Sequence, residues 1–204
     1  MQLINKYLAL GDSYTIGESV PQEESFTHQL VSLLGKQGHP IKTYRVIAKT
    51  GWTTDELLDA IEKEDLVQPI PNDHDLVTLL IGVNNQYRGR SVESYQPEFE
   101  TLLLRAIHYA GGNPEHVRVL SIPDWGVTPY AADRNRKEIS EAIDRYNRAK
   151  ESVCQKHDVQ YIYITDLTRD AETDPKLLTH DGLHPSGKDY FRWAERVLSS
   201  LNTK

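Results

Sequence analysis

The run Leu76-Val77-Thr78-Leu79-Leu80-Ile81 is apolar at nearly every position rather than at every second one. A strand with one face in water alternates, whereas a strand covered on both faces does not, so this run predicts a buried strand of a parallel sheet. Four further runs rich in β-branched and aromatic residues read as strands too: Tyr7 to Leu10, Tyr44 to Ala48, Val117 to Ile122 and Val159 to Ile164. Between them lie segments with helical period. Ile139, Ala142, Ile143, Tyr146, Val153, Cys154 and His157 share one stripe, and Phe99, Leu102, Leu103, Ala106, Ile107 and Ala110 share another that stops at Gly111-Gly112. A closing helix is expected over about 186 to 201, with Tyr190, Trp193, Ala194, Val197, Leu198 and Leu201 facing inward and Ser186 with Asp189 as a capping box. Strand and helix alternate throughout, with neither a repeat nor a linker. The expected fold class is therefore α/β: a three-layer α/β/α, doubly wound, mainly parallel five-stranded sheet, forming a single domain over residues 1–204.

Such a sheet needs a large core, and a chain of 204 residues with 38% hydrophobic content can supply it. Lys and Arg number 23 against 30 Asp and Glu, a net charge of -7 with no long block of either sign, which disfavours non-specific nucleic-acid binding. The one cysteine, Cys154, excludes an internal disulfide, a zinc ribbon and a Cys-x-x-Cys redox pair. Its place on an apolar stripe marks a buried, inert thiol. Met1 to Lys6 has no basic stretch leading into an apolar run, and no stretch approaches about 18 consecutive apolar residues. The expectation is a cytoplasmic protein without an integral membrane segment.

In open α/β sheets ligands bind beyond the carboxyl ends of the strands, so the residues following each run carry the functional argument. These are Gly11-Asp12-Ser13-Tyr14, Thr50-Gly51-Trp52-Thr53 and Gly82-Val83-Asn84-Asn85, while Asp181-Gly182-Leu183-His184-Pro185 precedes the closing helix. A serine leaving a strand into a helix presents its hydroxyl at the sheet edge, and a histidine on the turn before the last helix can reach it. Serine needs such a base, itself oriented by a third group, and Asp181 stands three residues before His184. Backbone N–H groups of Ser13 and Gly51 and the Asn84 side-chain amide could converge on an oxyanion, with Gly51 leaving the approach clear. Each residue alone has a plainer account: Asp12 and Ser13 as a helix cap, Gly51 as a left-handed turn, Asn84 bonded to its own backbone, Asp181 as a turn cap. Those accounts explain their joint occurrence poorly. Of eight histidines, only His184 has a comparable partner pattern.

The four blocks, in this order and spacing from Gly11 to Pro185, resemble the GDSL or SGNH hydrolases. The resemblance implies a flavodoxin-like SGNH hydrolase fold, Ser13 as nucleophile, Asp181 and His184 completing the triad, Ser13, Gly51 and Asn84 as oxyanion donors, and no metal or organic cofactor. Tyr14 stands where the family's motif name has Leu, and Asn85 where Asp is frequent; both bear on substrate preference and are candidate pocket residues. The implied activity is hydrolysis of a small-molecule acyl ester, short-chain and acetyl-type, with lysophospholipid or thioester hydrolysis as the alternative. Oligomeric state is left open. Trp52 and Trp125 read either as walls for an acyl or sugar group or as packing, and Tyr87 flanks the pocket. Arg88 and Arg90 read either as anion holders or as solvated loop residues, and the Arg134, Arg136 and Lys137 cluster is assigned no ligand. A flavodoxin-like carrier using Ser13 to Gly17 as a phosphate loop would leave Asp181, His184 and Asn84 without a role. A non-catalytic binding module on the same fold would leave every candidate reacting group unused.

Because the base must be neutral in the free enzyme, kcat/KM for an ester is expected to rise through about pH 6 to 7; a flat profile across that interval would count against histidine as base.

Overall fold

The computed structural model describes residues 3–201, so Met1 and Gln2 of the leading stretch lie outside the described residues. Five strands, β1 (Lys6–Gly11), β2 (Thr43–Ala48), β3 (Leu76–Leu80), β4 (Val117–Leu120) and β5 (Gln160–Ile162), form one all-parallel sheet in the order β2-β1-β3-β4-β5. Every residue of β3 is buried, as its unbroken apolar run requires. The helices are α1 (Ser13–Ile16), α2 (Phe26–Lys36), α3 (Thr54–Val67), α4 (Val83–Tyr87), α5 (Val92–Tyr109), α6 (Arg136–Lys156), α7 (Thr165–Arg169) and α8 (Gly187–Leu201). Right-handed crossovers place α2 and α8 together on one face and α3, α5 and α6 on the other. This is the doubly wound, flavodoxin-like arrangement. Phe26, Tyr190 and Trp193 fill one side, all fully buried.

The strand order reverses between β1 and β3, and the crossovers leave in opposite directions there. A crevice opens at that point beyond the carboxyl ends. Register sets Gly11 beside Leu80, and a Cβ on Gly11 would collide with the Leu80 carbonyl and the Thr15 hydroxyl. A glycine at the end of β1 therefore lets α1 turn away tightly over β3.

β4 and β5 are shorter than their apolar runs, because side chains replace the ladder at their ends. Ser121 Oγ accepts from the N–H groups of Ile164 (2.8 Å) and Thr165 (3.0 Å). Asn147 on α6 accepts from Ile122 N (2.7 Å) and donates back to Ile122 O (3.2 Å), doing for this residue what a neighbouring strand would do. The inner stripe of α6 is accordingly not wholly apolar. Asn147 and Lys150 fill the gap between Tyr146 and Val153, both buried. Lys150 Nζ donates to Leu120 O at 2.9 Å and lies 5.3 Å from the Phe99 ring centroid. Burial pulls its ammonium down to about 7, with Cys154 and Asp12 pulling the other way. Cys154 is buried as expected, and burial pushes its thiol up to about 12.

The capping box expected at Ser186 and Asp189 does not form. The Ser186 hydroxyl donates to Lys176 O at 2.8 Å, while the Asp189 carboxylate turns inward to accept from Arg192 (2.9 Å) and Trp193 Nε1 (3.1 Å). A buried indole N–H needs an acceptor more than an exposed helix end does. A capping box occurs instead at Thr53 and Glu56, opening α3.

Lys150 sets a stability prediction. Its folded value of about 7 lies below the unfolded value near 10.4, so between the two the unfolded chain holds the extra proton and stability rises with pH. Between pH 7 and 9.5, urea titrations are expected to show wild type gaining about 3 kcal/mol relative to Lys150→Met. A constant difference across that range would mean that Lys150 keeps its charge in the core.

Candidate active site

Ser13 is the first residue of α1, immediately after the Asp12 cap, whose Oδ1 accepts from Tyr14 N at 3.1 Å. The capping account given for Asp12 is thus met, and Ser13 is left with its hydroxyl free for another partner. That partner is His184, whose Nε2 lies 3.1 Å from Ser13 Oγ across 171 positions of sequence. His184 Nδ1 lies 2.7 Å from Asp181 Oδ2. With the ring proton on Nδ1, donated to the carboxylate, the Nε2 lone pair faces the hydroxyl. Both Ser13 and His184 are buried.

The Asp181 turn is built around its carboxylate. Oδ1 accepts from Leu183 N (2.9 Å), His184 N (2.9 Å) and Thr179 Oγ1 (2.7 Å), and Oδ2 accepts from Ser19 Oγ (2.6 Å). Burial by itself would raise this carboxyl; the hydrogen bonds from Ser19, His184 and Thr179 outweigh it and hold it well below the usual carboxylate range. Asp181 is therefore ionised wherever the imidazole can act. Ser19 and Thr179 were not singled out from sequence. Thr179 is signalled by its spacing two residues before Asp181, whereas Ser19, on the α1–α2 connection with φ 66°, carries no local signal.

Asn84 enters from α4, at the end of β3 that adjoins β1. Its Nδ2 donates to Trp52 O at 2.9 Å and approaches Asp12 Oδ2 at 3.5 Å. Gly51 stands on the β2–α3 connection with φ 84°, a conformation that L side chains seldom adopt. Among the described residues no protein acceptor takes the N–H of Ser13 or of Gly51. The fully buried Asp12 carboxyl is pushed up to about 7 by burial, against the pull of the Tyr14 N–H and Lys150.

The expected pocket residues divide. Tyr14 is 3% exposed, its ring 5.2 Å from that of His184 and 6.3 Å from that of Trp193. It packs between His184 and Trp193, and what little of it remains exposed faces a small cavity beside Trp125. Asn85 is also enclosed: Oδ1 accepts from Thr54 N (3.1 Å) and Nδ2 donates to Thr54 Oγ1 (2.7 Å), which satisfies the start of α3. Trp52 is half-buried against the core and contributes its carbonyl to Asn84. Tyr87 and Trp125 line an open groove of about 660 Å³ beside α4, and Arg134 lies 5.1 and 5.5 Å from their ring centroids. The Tyr87 and Tyr130 hydroxyls meet at 3.1 Å, and Tyr130 N donates to Gly182 O, so the rim of the groove is tied to the Asp181–His184 turn. Arg90 pairs with Asp55 (2.6 Å) and Arg88 with Glu56 (3.0 Å), so neither is a solvated loop residue waiting for an anion.

A family model described as the GDSL-like Lipase/Acylhydrolase family matches residues 9–190. No curated protein matches the sequence. Among solved structures, the lipase/acylhydrolase from Enterococcus faecalis is similar with a TM-score of 0.73 and 22% identity, over 97% of this chain and 95% of that one. The acetylxylan esterase Axe2 from Geobacillus stearothermophilus gives 0.72 and 17% over 100% and 98% of the two chains. The psychrotrophic esterase EstA from Pseudoalteromonas sp., in a structure inhibited by monoethylphosphonate, gives 0.71 and 16% over 97% of each. At these identities the likeness establishes the fold.

Removing Asn85 strands the buried N–H of Thr54. Urea unfolding of Asn85→Ala is expected to show a loss of about 1–3 kcal/mol, with Ser13→Ala within about 1 kcal/mol of wild type; equal stability of Asn85→Ala and wild type would show that the Thr54 bonds do not hold this corner together.

Proposed function

Since the chain belongs to the GDSL-like lipase/acylhydrolase family, we propose that it is a serine esterase hydrolysing short-chain acyl esters through an acyl-Ser13 intermediate. One observation carries this reading: the continuous chain from Asp181 Oδ2 to His184 Nδ1 (2.7 Å) and from His184 Nε2 to Ser13 Oγ (3.1 Å), assembled from two ends of the sequence.

Ser13 Oγ attacks the ester carbonyl carbon while His184 Nε2 takes its proton, and ionised Asp181 stabilises the imidazolium that forms. The carbonyl oxygen becomes an oxyanion, which the N–H groups of Ser13 and Gly51 and the Asn84 amide stabilise. Collapse of the tetrahedral species breaks the bond to the alcohol oxygen, which leaves with the proton from His184. Water then attacks the acyl-serine, giving its proton to His184, and the second collapse returns that proton to Ser13 and releases the acid.

The short-chain preference is supported by what surrounds Tyr14. The cavity bounded by Tyr14, Pro123, Trp125 and Leu183 holds only about 10 Å³, too little for an alkyl chain. The larger groove is lined substantially by charged side chains, among them Arg90, Glu93, Arg134, Glu138 and Arg145, which offer poor cover to a long acyl tail. One observation favours the lysophospholipid or thioester alternative. The exposed Arg134 guanidinium has no carboxylate partner among the described residues and could meet a phosphate on the leaving group.

Hydrolysis of p-nitrophenyl acetate, butyrate, octanoate and palmitate tests the proposal. Wild type is expected to favour acetate or butyrate, Ser13→Ala to fall to background, and Asn84→Ala to lose about 10²- to 10³-fold in kcat. A maximum at palmitate would favour the alternative, and full kcat in Asn84→Ala would remove Asn84 from the oxyanion site.

A further inference from the structure

Gly51 poses a problem that the reaction makes acute. The residue offering a backbone N–H to the oxyanion is a half-exposed loop glycine, the residue type with the widest conformational freedom, and it sits outside any helix or strand. Trp52 N donates to Lys49 O at 3.2 Å, which closes the turn but leaves the Gly51 carbonyl to be fixed by something else. That group is Arg88, whose Nη2 donates to Gly51 O at 2.7 Å.

The guanidinium is itself held at a second point. Its Nη1 meets Glu56 Oε1 at 3.0 Å, and Glu56 Oε2 accepts from Thr53 N (2.9 Å) and Thr53 Oγ1 (3.1 Å) within the capping box of α3. The planar fork of Arg88 thus spans from the Gly51 carbonyl to the start of α3. On its other side Arg88 closes α4, with its own N–H on Asn84 O at 3.0 Å. Asn84 reaches the same loop through Trp52 O, and Asn85 does so through Thr54. One turn of helix therefore carries the side-chain oxyanion donor at its beginning and the tie to the backbone donor at its end.

We propose that Arg88 is a positioning residue for ester hydrolysis: by gripping the Gly51 carbonyl it aims the Gly51 N–H and registers it to Asn84. The inference rests on the hydrolase reading above. Arg88 touches neither the acyl group nor the reacting atoms; it acts through Gly51. An exposed ion pair such as Arg88–Glu56 adds little to folding stability, so the consequence of losing it lies in the transition state, where a donor off its line is worth much less.

The test compares wild type, Arg88→Ala, Arg88→Lys and Ser13→Ala on the best p-nitrophenyl ester, with kcat, KM, the pH profile and Tm measured for each. Arg88→Ala is expected to lose about 10-fold in kcat, with KM within about two-fold, Tm close to wild type and the acid limb of the profile unmoved. Arg88→Lys, which reaches the Gly51 carbonyl or Glu56 but not both, is expected to fall between them. Wild-type kcat in Arg88→Ala overturns the inference, as does a loss of Tm with unchanged kcat per folded molecule, or a shifted acid limb that places the effect on His184. Wild type no faster than Ser13→Ala would overturn the hydrolase reading, and this inference with it.

Discussion

The pairing of β1 with β2 on one side and β3 on the other is the constraint on which the candidate site depends. Because the crossovers from β1 and β3 leave toward opposite faces, no helix covers the space just beyond their carboxyl ends. Backbone from two separate parts of the chain can therefore meet there without obstruction. The missing side chain at Gly11 lets the two strand ends stay close while α1 departs. Ser13 and Asn84 become neighbours for that reason, although 71 positions separate them. The histidine comes from the far end of the chain, because α8 packs beside α2 and brings the turn before it back to α1.

The polar groups around Ser13 are held by partners from several parts of the chain. Tyr14 packs against the imidazole and is backed by Trp193; Asp181 gathers donors from its own turn and from Ser19; α4 ties the 51–54 loop to the end of β3. Deeper in the sheet, Asn147 and Lys150 finish the end of β4, where strand pairing stops. A site made of loop residues gains definition this way. Ser19 holds the Asp181 turn, and Asn84 and Arg88 from α4 and its end hold the 51–52 turn.

Much of this was readable from the residues. Strands covered on both faces leave apolar runs, and the four blocks holding Ser13, Gly51, Asn84 and the Asp181–His184 pair each follow a strand or precede the last helix, so both the fold and the candidate site left a local signature. What escaped had its cause elsewhere in space. Asn85 follows a motif residue and reads from the sequence as a pocket residue, yet the short helix α4 turns its side chain inward to Thr54, while Tyr14, largely buried, borders only a small cavity. Asn147 and Lys150 were invisible to a search for apolar periodicity because they serve backbone groups at and just beyond the end of β4, not the helix stripe. The capping box at Ser186 failed because Trp193 needed the Asp189 carboxylate. Arg88 looked like a loop cation because nothing in its own neighbourhood announces a partner 37 positions earlier.

The burial of Cys154 has a practical corollary. It is the only sulfhydryl in the sequence, it lies wholly inside α6's packed face, and its proton is held tightly there. A thiol reagent can find it only when the helix lifts from the sheet or the chain opens altogether. The molecule thus carries a native one-site reporter of its own opening, and the rate of sulfhydryl labelling reads out conformational breathing without any engineered tag.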